Sequence, residues 1–170
     1  MNSVYFKTVI LPVLTEFIGF PIIRADQTAD KPNGPHATYK ITMPYGKGVG
    51  QPATTYEMEG DNMVEIDSEN YRATVSFTTY DWSDDVSREM AQSIRDWWAF
   101  YGRDFLQKQG VAIIELTDVQ NRDALLLEEY ERRNGFDAVL RLSRRMKRHV
   151  DHFTHIQVVR QKGGIKQNGQ

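Results

Sequence analysis

Three histidines near the end of the chain have the residue type and spacing of a metal site. His149, His152 and His155 recur every three residues, with Asp151 among them. On a helix they would spread over one broad side, where imidazole and carboxylate groups could bind a metal ion. On a strand His152 would point away from the other two, and no chelate would form. Apolar residues interleave with them, as in a half-exposed edge or turn, so we expect no metal site, and a metal-dependent enzyme remains an alternative.

A glycine-rich run between Gly46 and Gly50 contains the Gly-Lys pair that also occurs in phosphate-binding loops. Those loops continue with a Ser or Thr that opens a helix. The residues that follow here, Val49 to Pro52, supply neither the hydroxyl nor the helix start. We therefore interpret residues 45–55 as a flexible arm, because long glycine-rich stretches inside a domain are usually functional or disordered loops.

Groups for covalent or acid–base catalysis are not recognisable in the sequence. A serine hydrolase requires a nucleophile with His and Asp around it, and no nucleophile-elbow pattern is present. Carboxylate pairs such as Asp84–Asp85 resemble helix-cap and turn residues. The chain has no cysteine, which excludes disulfides and thiol catalysis. We expect no catalytic residue, no cofactor and no metal ligand.

Charge is unevenly distributed along the chain, although its net value is only −2. Residues 128–170 carry ten Lys or Arg and five Asp or Glu, a balance of +5, and the remaining residues carry eleven and eighteen, a balance of −7. The strongest basic segment is Arg141–Arg148, which could contact DNA phosphates, a neighbouring copy, or only solvent at a strand end. In a neighbouring copy its natural partners are Glu57, Glu59 and Asp61.

Hydrophobic spacing predicts an N-terminal helix that begins at Val4 and ends at Gly19. Pro12 should kink or restart this helix. Glu16 and Pro21 help to break up the apolar stretch, which is also too short to span a bilayer, so no membrane partner is expected. The predicted buried face consists of Phe6, Val9, Ile10, Val13, Leu14, Phe17 and Ile18.

A second, longer helix is predicted over Val86–Gln109, where apolar residues recur at spacings of about four. Its aromatic stripe indicates a core-facing surface. We place Trp97 and Tyr101 in the core and Trp98 at its margin.

Alternating residues predict three strands before the long helix. The first covers residues 36–43 and ends at Pro44. Residues 54–66 and 70–80 are predicted to form a hairpin that turns at residues 67–70. The inner face of its second strand should consist of Tyr71, Ala73, Val75, Phe77 and Thr79.

Three further strands are predicted after that helix, over residues 111–117, 136–150 and 154–159. Gly135 is predicted to lie in the turn that leads into the second of them, with a positive φ. The inner face of that strand should consist of Phe136, Ala138, Leu140 and Leu142.

The order of these elements predicts an α+β fold. It has a mostly antiparallel sheet packed by the N-terminal helix and the long central helix, with a long extended loop. We expect one domain over residues 1–160 and a flexible C-terminal tail over residues 161–170.

This combination of features resembles phage neck or tail-terminator proteins. The resemblance rests on the N-terminal helix, the Gly/Pro-rich arm, the strand ending in Ser76–Tyr80, the tryptophan-rich helix and the segment Tyr130–Asp137. It covers residues 4–159, and its sharpest part is Arg133–Asp137.

The resemblance implies a structural virion protein, assembled in the host cytoplasm, without catalytic residues or cofactors. It implies a ring of subunits, commonly a hexamer, that terminates the tail tube and joins it to the head connector or adaptor proteins. DNA would pass through the lumen of the ring without sequence recognition.

Subunit contact in such a ring requires mobile arms and sides of opposite charge, because the interface joins two different surfaces. An alternative function is a nucleic-acid-binding accessory protein that uses Arg141–Arg148. The candidate contact residues are Tyr45, Lys47, Val49, Tyr56, Glu57, Glu59, Arg132, Arg133, Arg141, Arg144, Arg145 and Arg148.

Overall fold

A computed structural model describes residues 3–28, 32–48, 50–126 and 129–151 of the chain. Two π-helical segments, Phe6–Ile10 and Trp97–Tyr101, interrupt the helical parts. The α-helices are Ser3–Tyr5 (α1), Leu11–Ile18 (α2), Asp84–Asp96 (α3) and Arg103–Lys108 (α4). The strands are Ile22–Arg24 (β1), His36–Lys47 (β2), Ala53–Glu59 (β3), Asn62–Asp81 (β4), Ala112–Leu116 (β5), Gln120–Asn121 (β6), Ala124–Leu126 (β7) and Glu129–Val150 (β8).

The strands form a mixed, mostly antiparallel sheet in the order β1-β2-β4-β8-β5, with β3 on β4 and both β6 and β7 on β8. Only the β1–β2 pairing is parallel among the described strands. The two longest strands, β4 and β8, pair continuously from Met63 opposite Val150 to Asp81 opposite Arg132. The predicted α+β fold is confirmed.

The hydrophobic core lies between the helices and one face of the sheet. Phe6 of the N-terminal helix lies near its centre, with its ring 4.8 Å from that of Tyr39 and 6.5 Å from that of Trp98. The alternation predicted for β4 and β8 is confirmed. The sheet contributes the fully buried residues Ala73, Val75, Phe77, Phe136, Ala138 and Leu140.

Pro12, which was predicted to kink or restart the N-terminal helix, lies where the π-helical segment changes to α2. In the preceding π-helical segment the N–H of Leu11 donates to the carbonyl of Phe6, five residues back. Pro12 then lies in the first turn of α2, where the missing N–H of proline costs no helical hydrogen bond. Gly19 ends α2 in the left-handed region with φ 76°, a conformation that glycine adopts without steric cost.

The buried face of the N-terminal helix is narrower than its apolar residues suggested. Phe6, Ile10 and Leu14 are completely buried. Val13 and Phe17, which the spacing also placed on that face, are 36% and 47% exposed. They lie at its edge, where no sheet residue covers them.

The central helix contains a break that its apolar spacing did not reveal. Gly102 donates its N–H to the carbonyl of Trp97 at 2.7 Å, and this wider turn rotates the following residues. Two predictions are therefore wrong. Trp98, placed at the margin, is fully buried, and Tyr101, placed in the core, is 63% exposed. A Cβ atom on Gly102 would lie 2.7 Å from the Trp97 ring, so glycine is needed there.

Gly135 is not in a turn, and that prediction is wrong. It lies within β8, opposite Thr78 of β4, and its φ is not positive. The consecutive charged residues before it suggested a turn, but Glu131, Arg132 and Arg133 are half-buried within β8, where Asp123 binds both arginines.

The hairpin turn also lies elsewhere than predicted. β4 runs without interruption through residues 67–70. The chain reverses instead at Gly60 and Asp61, where Gly60 has φ 65°. A two-residue turn between strands favours positive φ, which glycine supplies. The polar residues at 67–70 are accommodated because β4 is not covered by helices there.

Pro44 does not end β2, which continues to Lys47. The pairing with β4 shifts register between Ile41 and Met43 and again between Met43 and Gly46. Proline is tolerated in a strand at such irregularities, because no regular ladder hydrogen bond needs its N–H. Residues 45–47 and 53–55 are therefore strand rather than the flexible loop that the glycines suggested.

Candidate functional site

Many of the predicted contact residues lie on a three-stranded ribbon that extends beyond the helices. The ribbon consists of β3, residues 62–70 of β4 and residues 143–150 of β8. None of its residues belongs to the main hydrophobic core cluster, and β3 is exposed along its whole length. At roughly 3.4 Å per residue, the β4 part alone gives the ribbon a length of about 30 Å.

Two ion pairs cross the central strand of the ribbon and join β3 to β8. They are Glu57–Arg145 at 3.8 Å and Glu59–Lys147. The hydrogen bond from Lys147 holds the pKa of Glu59 below its ordinary value. By cross-strand register the paired residues share a face with Val64 and Ile66, which are buried outside the main core. Long side chains of this kind can cover apolar surface with their stems while the charged ends stay in water.

The opposite face of the ribbon carries two further ion pairs between β4 and β8. Arg148 donates to both carboxylate oxygens of Glu65 at 2.9 Å, and these bonds raise the pKa of Arg148. Arg144 lies 3.8 Å from Glu69. The Tyr45 hydroxyl donates to the same Glu69 carboxylate at 3.2 Å, so the end of β2 is fastened to the base of the ribbon.

The basic segment Arg141–Arg148 is thus largely neutralised within its own chain. Four of its five cationic side chains have a carboxylate partner on β3 or β4. Glu57 and Glu59, expected to meet this segment on a neighbouring copy, meet it in the same subunit. Arg141 is the one cationic residue of the segment that has no carboxylate partner among the described residues. This arrangement removes most of the free positive charge on which the accessory nucleic-acid-binding hypothesis depended.

Arg132 and Arg133 lie near the start of β8, at the end of the strand opposite the ribbon. Arg132 binds Asp123 at 2.8 Å, and the Arg133 N–H donates to the same carboxylate at 2.7 Å. Burial raises the pKa of Asp123, but these hydrogen bonds outweigh it and leave the pKa below its ordinary value. Arg133 also pairs with Glu131 and lies over the Tyr80 ring at 5.3 Å. Both arginines fasten the loop after β6 to β8.

The other candidate residues are surface groups at the base and middle of the ribbon. Tyr45 stacks on Tyr71 at 5.2 Å, and Lys47 is exposed opposite Tyr71. Tyr56 lies in the middle of β3 with 60% of its surface exposed. Val49 lies outside the described residues.

The structure offers no metal centre within residues 3–28, 32–48, 50–126 and 129–151, where no three His, Cys, Asp or Glu side chains gather. His149 lies on the ribbon opposite Val64. His152, His155, the predicted strand 154–159 and the C-terminal tail lie outside the described residues, so the histidine hypothesis is not tested.

A small recess of about 200 Å³ lies beside the N-terminal helix. Its one carboxylate, Asp26, forms an ion pair with Lys40 at 3.2 Å. The lining contains no histidine and no serine–histidine pair, so it presents no acid–base or nucleophilic arrangement. It is lined by Ser3, Arg24, Asp26, Tyr39, Ile41 and Pro44.

An exposed aromatic patch on the helical layer was not recognised from the sequence. Phe17 and Tyr101 pack together with ring centroids 4.9 Å apart, and Phe100 lies edge-on to Tyr101 at 5.3 Å. Phe100 is 68% exposed, and Arg103 lies 6.0 Å from its ring centroid. The signal for this patch is the Gly102 that follows Tyr101, because a glycine there allows the helix to turn these rings outward.

A family described as phage neck terminator protein matches residues 5–168 of the chain. The chain belongs to the phage neck terminator family. It is therefore a component of the phage neck and part of the virion, and the structural role of the family implies that it is not an enzyme. None of the curated proteins compared with the chain matches it.

The prediction of a phage neck protein is confirmed by the family match. In the part of the chain that the structure describes, no helix is long and apolar enough to cross a membrane.

Proposed function

We propose that this neck terminator is a structural protein that forms a ring, terminates the tail tube and joins it to the head connector. The observation that carries this proposal is the ribbon, which has one open strand edge on each side. Among the described strands, β3 pairs with β4 alone. Residues 143–150 of β8 likewise pair with β4 and with no other described strand.

Open edges on opposite sides of a ribbon suit a ring. Each edge presents N–H and C=O groups that can pair with a strand of another chain. If β3 of one copy pairs with β8 of the next, the contact joins two different surfaces and repeats head to tail, and such contacts form a ring when the rotation between copies closes. Glu57 and Glu59 of β3 would then lie beside basic residues of β8 in the next copy, in addition to their ion pairs with Arg145 and Lys147 of the same subunit.

We infer a hexamer that assembles in the host cytoplasm. The tail tube protein would contact one side of this ring, and the head connector or adaptor proteins would contact the other. DNA would pass through the lumen without sequence recognition. Arg132 and Arg133, already held by Asp123 and Glu131, would contribute less to subunit contact than the ribbon.

The register identifies residues that test the open edge of β3. A two-residue turn makes Glu59 and Asn62 a hydrogen-bonded pair, so alternate residues of β3 direct their N–H groups outward. Tyr56 is one of them. Tyr56→Pro removes an outward N–H without removing a bond to β4, and proline is tolerated at such edge positions.

The experiment measures the mass of the purified full-length chain, its appearance in negative stain and its attachment to tail tubes. We expect rings from the wild type and loss of rings from Tyr56→Pro, with little change in melting temperature. Tyr56→Thr keeps the outward N–H and removes only the aromatic side chain. This control variant should still assemble. A wild-type chain that stays monomeric and does not attach to tail tubes would contradict the proposed function.

A further inference from the structure

Two arginines lie directly opposite each other at the centre of the sheet. Arg72 of β4 pairs in register with Arg141 of β8, and both side chains are exposed on the face opposite the hydrophobic core. In the same row the outer neighbours are Gly46 on β2 and Ala112 on β5. Both neighbours are small, and the Met43 side chain lies over Gly46, with its sulfur 2.8 Å from where a Cβ atom on that glycine would be.

The charge of this pair is not compensated. The other arginines of β8 each have a carboxylate partner. Arg72 and Arg141 have none within ion-pair distance in the part of the chain that the structure describes. The nearest acidic residue in register is Glu115, opposite Val139, and it forms no ion pair with Arg141. Like charges directly opposite in a sheet destabilise it, so the arrangement lowers the stability of the isolated subunit.

We propose that Arg72 and Arg141 together bind phosphate groups of duplex DNA. Guanidinium groups stay charged at any physiological pH, and their planar forks match the oxygens of a phosphate. β4 and β8 hold both Cα atoms in the middle of a continuous ladder.

The surroundings of the pair favour a nucleic acid over a protein partner. On the ribbon side of the pair, the next residues on this face are Asn70 and Ser143, which are both polar. The Ser143 hydroxyl donates to the Asn70 side chain at 2.9 Å. On the other side Thr74 lies opposite Val139. Hydroxyl and amide groups with arginine are typical phosphate contacts. Stable protein interfaces, in contrast, have a continuous apolar or aromatic centre, whereas the apolar side chains near the arginines are single ones such as Met43 and Val139, on either side of Thr74.

This DNA site rests on the proposed function, because DNA would reach the sheet by passing through the neck ring. It places the polar face of the sheet towards the DNA and the helical layer away from it. Contacts to phosphates do not depend on the base sequence. This agrees with a ring through which DNA of any sequence passes.

The test is binding of the full-length chain to a fluorescent duplex of about 20 base pairs, measured by anisotropy across a range of salt concentrations. The variants are Arg72→Gln, Arg141→Gln and the double variant. Arg88→Gln is the matched control, because it removes the same charge from an arginine of α3 that Asp84 and Asp85 already pair. Each phosphate contact contributes about 0.9 to the slope of log K against log salt. We expect each single variant to lose about 0.9, the double variant to lose about 1.8, and the control to keep the wild-type slope.

Three results would overturn the assignment. They are no measurable binding by the wild type at low ionic strength, equal losses in the test and control variants, and unchanged DNA binding with loss of rings. The last result would assign the pair to a subunit contact. Ring formation is measured separately by mass. Arginine-dependent DNA binding without rings would therefore refute only the proposed function, and rings without arginine dependence would refute only the DNA site.

Discussion

A Cβ atom on Gly135 of β8 would lie 2.3 Å from the carbonyl oxygen of Phe77 on β4. The two central strands therefore approach each other more closely than any residue with a side chain would allow. The Arg122 side chain fills the remaining space, with its guanidinium bound to the Phe77 carbonyl at 3.2 Å and to Asp137 at 3.0 Å. A glycine within a strand often marks such a close backbone approach.

The first prediction follows from this contact. Gly135→Ala should lower the free energy of unfolding by about 1–3 kcal/mol, the usual cost of inserting atoms into a packed site. Chemical denaturation of the purified variant measures it. Ser143→Ala, on the exposed face of the same strand, is the control and should change stability by less than about 1 kcal/mol. Wild-type stability of Gly135→Ala would mean that the strands can separate without cost.

The second prediction compares two tryptophans. Trp97 is 2% exposed and Trp82 is 87% exposed. Trp97→Ala should destabilise the fold by roughly 3–5 kcal/mol, the cost of removing a buried large aromatic residue. Trp82→Ala should stay within about 0.5 kcal/mol of the wild type, because its side chain is in solvent. Melting curves of both variants test this, and similar curves for the two would contradict the burial of Trp97.

The third prediction concerns acid stability near the loop after β6. The folded-state pKa of Asp123 lies below its ordinary value of 3.8. The stabilisation is therefore complete above the ordinary value and is lost as the pH falls through the lower folded value. Asp123→Asn should be less stable than the wild type at about pH 6, and the difference should shrink towards about pH 2. Thermal unfolding across this range measures it, and a constant difference would show that ionisation of Asp123 is not involved.

The fourth prediction concerns the two halves of β4. Residues 62–70 lie in the ribbon and residues 72–80 lie on the core. We expect amide hydrogens in the first half to exchange faster in the isolated subunit, because local opening there exposes little buried apolar surface. In assembled rings the exchange at β3 should slow down as its open edge becomes paired. Hydrogen exchange with mass spectrometry can follow both halves at once. Unchanged exchange at β3 in rings would exclude it from the subunit contact.

The fold class could be read from the sequence because its main signals are periodic. Ala73, Val75 and Phe77 alternate with polar residues, and that period of two fixes which face of β4 meets the core. The helices were recognisable from their spacing and from Gly19 and Gly110, both of which have positive φ. These signals are local, so one segment at a time is enough to interpret them.

Other features depend on contacts between distant segments. Gly135 resembles a turn glycine until Phe77 is placed beside it, and Tyr101 resembles a core residue until Gly102 changes the helix. The pairing of Glu57 with Arg145 depends on the register of three strands, which the misplaced hairpin turn concealed. The Arg72–Arg141 pair likewise becomes visible only when β4 and β8 are aligned.

The continuity of β4 and β8 has a mechanical consequence. Both strands pass from the core to the ribbon without a break, and their ladder runs from Asp81 opposite Arg132 to Met63 opposite Val150. A pull along the ribbon would be carried by the covalent backbones of both strands, whereas a sideways force at the tip would bend the ribbon. Each subunit would thus resist stretching along the ribbon strongly and bending of the ribbon weakly.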